Sequence, residues 1–384
     1  MERRVIVLEA LFWILIALPL YSLIVYPLLI IALSKLFPRH FVRGPYTPTV
    51  SLIVSAYNEE EAIAAKLENS LELDYPKDRL EIIVASDGST DRTDEIVRGF
   101  AARGVTLLRF EGGMGKTAVL NAAVPHAQGE VLVFSDATGM YSRDAVARMA
   151  EHFGDPRVGC VSGRVGYTYD KGLAARGFRV YQEYVLALRR AEGAFGTGFN
   201  ASGSIHAVRA SVFRPGPPDT FMDMVDPLHT VMQGYNTTFE EDAVSHERTR
   251  TRPKQEFNAR LRIALRAWRF IIYAVPRLPL LRAPMYCFQV ISHKFLRWCI
   301  GPSLALLLPI NLILVFEGPL YRWTFAAQAA YYLLTWLAYA LGQAGRALPG
   351  LSGLVFFNST NLAYVISLCR FLQGKRMAQW VPPR

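Results

Sequence analysis

The sequence predicts an α/β domain with a mostly parallel sheet, set between apolar helices long enough to cross a membrane. Three observations carry this. Four short β-branched runs without alternation, VSLIVSA (50–56), LEIIVAS (80–86), VTLLRF (105–110) and EVLVFSD (130–136), have the pattern of strands buried on both faces. Helical patterns at 59–71, 93–103 and 115–127 separate them, and strand–helix alternation implies parallel βαβ units. A composition of 52% apolar and 19% charged residues is too greasy for an ordinary soluble domain, and the excess sits at the two ends.

The N-terminal element is the most apolar. Residues 10–33 carry no charge over 24 positions, a helix of roughly 36 Å that spans a hydrocarbon core with some tilt. A secretory signal has a shorter apolar core, about 7–15 residues, and a small-residue cleavage site; neither fits, so a retained span is expected. In the second helical pattern of the middle region, Thr90 and Asp91 supply a cap. Toward the C-terminus, uncharged runs cover 298–316, 323–345 and 347–369. The first two read as spans. The third holds Asn358, Ser359, Thr360 and Asn361 at its middle, which reads as re-entrant or as buried against its neighbours.

The expected organisation is a transmembrane helix at 1–34, the α/β domain at 35–270, interfacial amphipathic helices at 271–297, transmembrane or re-entrant helices at 298–372, and a basic tail at 373–384. Lys35, Arg39 and Arg43 follow the first span, and Arg370, Lys375, Arg376 and Arg384 follow the last. By the positive-inside tendency both regions belong in the cytoplasm. Four full spans would separate them, whereas three spans and a re-entrant segment keep them together; Arg3 and Arg4 lie on the far side. The expected location is a multi-pass protein of the cell membrane with a cytoplasmic α/β domain. Cys160, Cys287, Cys299 and Cys369 have no metal or redox spacing, consistent with a reducing compartment.

In an α/β sheet, ligands bind beyond the carboxyl ends of the strands. Those ends are AYNEE (56–60), SDGSTD (86–91) and SDAT (135–138), three acidic turns on one rim. Any one of them alone reads as turn chemistry. Together they describe a crevice for hydroxyl-rich ligands, base edges, or a divalent ion carrying phosphate. EGGMGKT (111–117) is not a phosphate loop of the G-x-x-x-x-G-K-[ST] kind, because Phe110 stands where its first glycine belongs.

With SLIVSAYNEE, EIIVASDGSTDRT, GKTAVLNAA and VLVFSDA in this order and spacing, the sequence resembles the membrane-bound family 2 glycosyltransferases. These inverting enzymes have a glycosyltransferase-A-type nucleotide-sugar-binding domain and include cellulose and hyaluronan synthases. The resemblance covers about residues 48–270. It implies that Tyr57 and Glu59 line the nucleotide pocket, that Asp87 binds uracil or ribose, and that Lys116 lies near the base or diphosphate. Asp136 is similar to the first aspartate of the Asp-x-Asp motif that holds nucleotide and metal. Thr138 replaces the second, so the expected Mg2+ or Mn2+ depends on the nucleotide for the rest of its ligands. His246 is either a further ligand or a surface histidine.

GTGFNASGSIHAVRASVF (196–213) resembles the segment framing the acceptor side. FMDMVDPL (221–228) falls at the Thr-Glu-Asp motif, making Asp223 the catalytic base, with Asp226 able to exchange roles on the same helical face. Residues 248–297 hold twelve Lys or Arg against Glu256 alone. Within them Arg262, Arg266 and Arg269 share one helical face. Ala259, Arg262 and Ile263 occupy the positions of a Gln-x-x-Arg-Trp motif, so Arg262 is expected to contact the diphosphate. The missing tryptophan argues against a processive synthase. The remaining basic residues, SHKFLRW (292–298) included, read as an interfacial segment on anionic lipid headgroups. With no nucleic-acid motif present, the net charge of +10 does not indicate a nucleic-acid partner.

The resulting expectation is a membrane-embedded inverting glycosyltransferase that moves one hexosyl unit from a nucleotide-sugar, a UDP-sugar first, to a lipid-linked or glycan acceptor near the membrane. Two alternatives stand beside it. One is a processive polysaccharide synthase. The other is a catalytically inactive nucleotide-binding membrane protein, motivated by Thr138, Phe221 and Met222 at motif positions.

Overall fold

The computed structural model describes residues 2–39, 41–168, 173–248, 253–344, 346 and 350–374. Apart from residues 373 and 374, the expected basic tail lies outside the described residues. The four expected strands form as β1 (Val50–Ala56), β2 (Leu80–Ser86), β3 (Val105–Arg109) and β4 (Val131–Asp136). β1 pairs in parallel with β2 and with β4, and β2 with β3. Odd and even positions are both buried. Leu52, Val54, Val84 and Val133 pack with Ile63 and Leu67 on one face. Ile53, Ala85, Leu132 and Phe134 pack with Val119 and Leu120 on the other. Burial on both faces is why these runs do not alternate.

Beyond β4 come β5 (Met140–Tyr141), β6 (Val158–Thr168), β7 (Ile205–Arg209) and β8 (Asn236–Arg248). They complete one eight-stranded sheet in the order β3-β2-β1-β4-β7-β6-β8-β5. β7 is antiparallel to both β4 and β6, β5 is antiparallel to β8, and β6 is parallel to β8. The sheet is therefore mixed. Its parallel half is the half legible in sequence, because β8 reads NTTFEEDAVSHER and forms through long-range pairing with β6 rather than through apolar pattern.

The helices Ile63–Leu71, Thr93–Gly99 and Lys116–Ala123 fall within the expected segments and are shorter than them. Asp91 Oδ1 accepts the Thr93 backbone N–H at 3.0 Å at the start of the second. The third ends before Pro125, which cannot donate the next helical hydrogen bond.

One helical rod runs as Glu2–Leu20, a π turn at Tyr21–Val25, and Tyr26–Leu36. Pro27 lacks an N–H and crowds the carbonyl four residues back, which is Leu23 within the π turn. Among the described residues two helices are long and apolar enough to cross a membrane, Arg3–Leu36 and Gly353–Leu372. Pro284–Trp298 and Ile300–Leu314 would make a third if counted as one span, bent by 51°. The bend lies where Pro302 opposes the Trp298 carbonyl.

This corrects two expected spans. The run at 298–316 belongs to that bent pair. The run at 323–345 forms a helix, Pro319–Gln343, that is not among the membrane-competent ones, since Gln328, Thr335 and four tyrosines dilute its apolarity. The third run becomes helix Ser352–Leu372, and its polar residues bind neighbours. Arg260 Nη1 donates to Ser359 Oγ at 2.9 Å, and Trp268 Nε1 donates to Ser367 Oγ at 2.9 Å. Asn358 Nδ2 donates to the Tyr331 hydroxyl at 2.6 Å. Asn358, Ser359 and Thr360, at the middle of this run, are half-buried.

Candidate active site

The turn after β1 and the turn after β2 hold each other. Asn58, with φ of 54°, donates its N–H to Ser89 Oγ at 3.1 Å, and its side-chain oxygen accepts the Thr90 N–H at 2.8 Å. Asparagine is among the few side chains that adopt this left-handed conformation readily. Gly88, at φ 65°, lies against Gly112, where an added Cβ would meet the Gly112 Cα at 2.7 Å. The close approach lets Asp87 accept the N–H groups of Met114 and Gly115, each at 2.9 Å. Asp87 thus fixes the glycine turn that leads into the helix bearing Lys116.

Lys116 pairs with Asp136 at the end of β4 and donates to the Gly203 carbonyl at 2.8 Å. Gly203 is the junction of two halves of the site. Its vacant Cβ position lies 3.6 Å from Lys116 Nζ and 3.6 Å from Asp223 Oδ2. Asp223 sits in the first turn of helix Met222–Met232. Asp226 does not share that setting: it is buried at 2% exposure and bound to His206 Nε2 at 3.0 Å. Burial pushes its carboxyl up despite the histidine. The arrangement therefore separates the two acids that sequence left interchangeable.

A cleft of about 270 Å3 adjoins Lys116 and Asp136. Tyr57, Glu59, Asp87, Lys116, Asp136 and Thr138 line it. Helix Pro253–Ala274 closes it with Ala259, Arg262, Ile263 and Arg266, and Phe221 completes the wall. Arg262 and Arg266 are held below the ordinary guanidinium range by burial, and at Arg266 also by its neighbour Arg262. Two crowded, partly dehydrated cations favour an anion between them. Arg269, on the same face, instead pairs with Asp219 at 2.9 Å.

The metal-binding chemistry is sparse. Asp136 and Thr138 offer one carboxylate, already paired with Lys116, and one exposed hydroxyl. His246 is exposed on β8. Among the described residues no group of three or more His, Cys, Asp or Glu could hold a metal ion. The donor set fits a divalent ion that arrives with phosphate oxygens and water and does not fit a cage made by protein alone.

Sequence reading missed three groups here. Lys66 is buried behind Asp136, donating to the Gly139 carbonyl at 2.6 Å and lying 3.8 Å above the Tyr141 ring. Burial pushes it down to about 7, against the pull of Asp136 and Glu247. Glu247 accepts from Ser204 Oγ, and burial, then the Asp136 charge, pushes it up. Arg189, on helix Leu173–Gly193, lies 3.4 Å from the Ala201 carbonyl, and the Ala201 N–H donates to the Asp223 carbonyl at 2.9 Å. Nothing in KLEN or ALRR marks these residues locally; only the fold brings them together.

Residues 51–215 match Glycosyl transferase family 2. It is 36% identical over 123 residues to a probable glycosyltransferase, YdaM, of Bacillus subtilis, covering 30% of this chain and 29% of that one. It is 33% identical over 134 residues to the β-monoglucosyldiacylglycerol synthase of a Nostoc species, covering 33% and 28%. The matched part spans less than a third of either relative's length. The fold is similar throughout to the solved mannosyltransferase PcManGT of Pyrobaculum calidifontis in complex with GDP-Man and Mn2+. That likeness has a TM-score of 0.74 and 24% identity, covering 95% of this chain and 99% of that one.

Proposed function

We propose that this chain transfers a single sugar, with inversion, from a nucleotide-sugar to a lipid-linked or membrane-proximal acceptor, and that a UDP-sugar is the first donor to test. The observation that carries it is the convergence of Asp87, Lys116, Asp136, Arg262 and Arg266 on one cleft, with Asp223 a glycine's width from Lys116. Asp87 and Tyr57 face the base and ribose, and Arg262 and Arg266 face the diphosphate. An acceptor hydroxyl attacks the anomeric carbon. The bond to the diphosphate breaks with its electron pair, and the hydroxyl proton passes to Asp223. The two arginines and Lys116 offset the charge that develops on the departing diphosphate. A divalent ion, held by Asp136 and Thr138 together with the donor, would supply further charge neutralisation there.

The name of the Nostoc relative, a monoglucosyldiacylglycerol synthase, supports a lipid acceptor, as do the apolar helices flanking the domain. We read the chain as multi-pass, with the α/β domain on the cytoplasmic face. Leu281, 99% exposed, and exposed Ile272 and Val275 stand beside Arg277 and Arg282, a composition suited to the bilayer interface. Ile263 lines the cleft where a stacking tryptophan would serve a growing polymer, which favours one addition over processive synthesis. A screen of nucleotide-sugars for diphosphate release, with native lipid extract and with or without divalent metal, tests the reading. Turnover of at least one donor is expected, and silence with all of them contradicts it.

A further inference from the structure

Helix Pro253–Ala274 turns two faces to two different parts of the molecule. Ala259, Arg262, Ile263 and Arg266 line the cleft. Arg260 and Trp268 instead meet helix Ser352–Leu372. Arg260 Nη1 donates to Ser359 Oγ at 2.9 Å, and its Cζ lies 3.9 Å from the centre of the Phe356 ring. Trp268 Nε1 donates to Ser367 Oγ at 2.9 Å, and its ring stands edge-on to Tyr364 at 6.3 Å. Each serine donates its own proton within its helix, Ser359 to the Phe356 carbonyl at 2.9 Å and Ser367 to the Tyr364 carbonyl at 2.8 Å. Both hydroxyl oxygens are thereby turned to accept from the neighbouring helix.

Both bonds join residues 99 apart in the chain. The same spacing therefore separates the two joints on either helix, and the helices run side by side in one direction without slip over about 12 Å. Arg262 and Arg266 lie between the joints. At about 100° per residue, each is about 200° around the helix from the nearer joint, on the opposite face. A helix pinned at two points along its back fixes its front, because any roll or slide carries both guanidinium groups with it. The helix that pins it is long and apolar enough to cross a membrane, and the residues lining the cleft include none of its own.

We propose that Ser359 and Ser367 are positioning residues of the donor site. Through Arg260 and Trp268 they hold Arg262 and Arg266 toward the diphosphate, so a membrane-competent helix sets nucleotide affinity without touching the nucleotide. This rests on the transferase reading for the identity of the ligand, but its test needs no turnover. The full chain in phosphatidylcholine nanodiscs is titrated with UDP and with GDP, and the tighter of the two is carried forward. The paired change Ser359→Ala and Ser367→Ala removes both acceptors, alters no charge and leaves the cleft lining intact. It should weaken the nucleotide about 10-fold, the scale of one or two lost hydrogen bonds. Ser359→Thr with Ser367→Thr keeps both hydroxyls and should bind as the unchanged chain does.

A double-mutant comparison separates positioning from general loosening. In an Arg266→Gln background the alanine pair should weaken the nucleotide by no more than about 3-fold, because much of what it misplaces is already gone. All variants are compared by thermal midpoint and titrated well below it; if the alanine pair fails to fold, Ser367→Ala alone carries the test, with a loss of about 3-fold expected. Unchanged nucleotide binding in the folded alanine variant overturns the proposal. So does the full 10-fold loss persisting in the Arg266→Gln background, since the effect would then arise elsewhere in the cleft, and so does an equal loss in the threonine pair. Failure of both nucleotides to bind the unchanged chain would strike the transferase reading itself, and this proposal with it.

Discussion

Asp223 and Asp226 are three residues apart on one helix, yet their surroundings differ. Asp226 is closed in by His206, while Asp223 faces the Gly203 junction with Lys116. Asp223→Asn is therefore expected to cut turnover by ~10²–10⁴ while leaving UDP binding near its original strength, measured by calorimetry. Asp226→Asn should act mainly on the thermal midpoint. Lys66 makes a different prediction. Its ammonium is pushed down to about 7 from an ordinary 10.5. Between those values the unfolded chain holds a proton that the folded chain has released, so this position adds stability as pH rises from about 7 toward 10.5. Lys66→Met should flatten the rise of the thermal midpoint with pH across that window. An unchanged slope would mean that Lys66 stays charged in the folded chain.

Among the elements, the strand-end turns act as one unit. Gly88→Ala would place a methyl into the Gly112 backbone at a left-handed φ, a strain of order 1–3 kcal/mol. It should lower the thermal midpoint and also weaken nucleotide binding, because Asp87 holds the glycine turn through the same contact. Helix Pro253–Ala274 supplies the opposite wall. Arg262→Gln and Arg266→Gln are each expected to weaken UDP about 10- to 100-fold, whereas Arg269→Gln, whose partner is Asp219, should not. The parallel strands and this arginine face were legible because burial on both faces and a 3.6-residue period leave marks in sequence. β6, β7 and β8 were not, since polar and glycine-interrupted strands form only through their long-range partners. For the same reason Glu247, Lys66 and Arg189 escaped notice: each matters through a neighbour remote in sequence. Spans were legible as apolar runs but not as straight helices, because Pro302 and the polar residues of Pro319–Gln343 act through packing and local geometry.

At the scale of the whole molecule, the cleft and Asp223 meet at Gly203. Lys116 donates to the Gly203 carbonyl, and the Gly203 Cβ position lies 3.6 Å from both Lys116 Nζ and Asp223 Oδ2. A donor from the aqueous side and an acceptor from the bilayer would meet at Asp223. Product length reads this directly: a single added sugar is expected, and a ladder of products would instead indicate processive synthesis. The most direct measurement is nucleoside diphosphate release by the purified full chain in native lipid extract, comparing the unchanged protein with Asp223→Asn across a panel of sugar nucleotides. Release by the unchanged protein that falls by ~10²–10⁴ in the variant is the predicted result. Release that persists undiminished in Asp223→Asn, or its absence with every donor, would contradict the account.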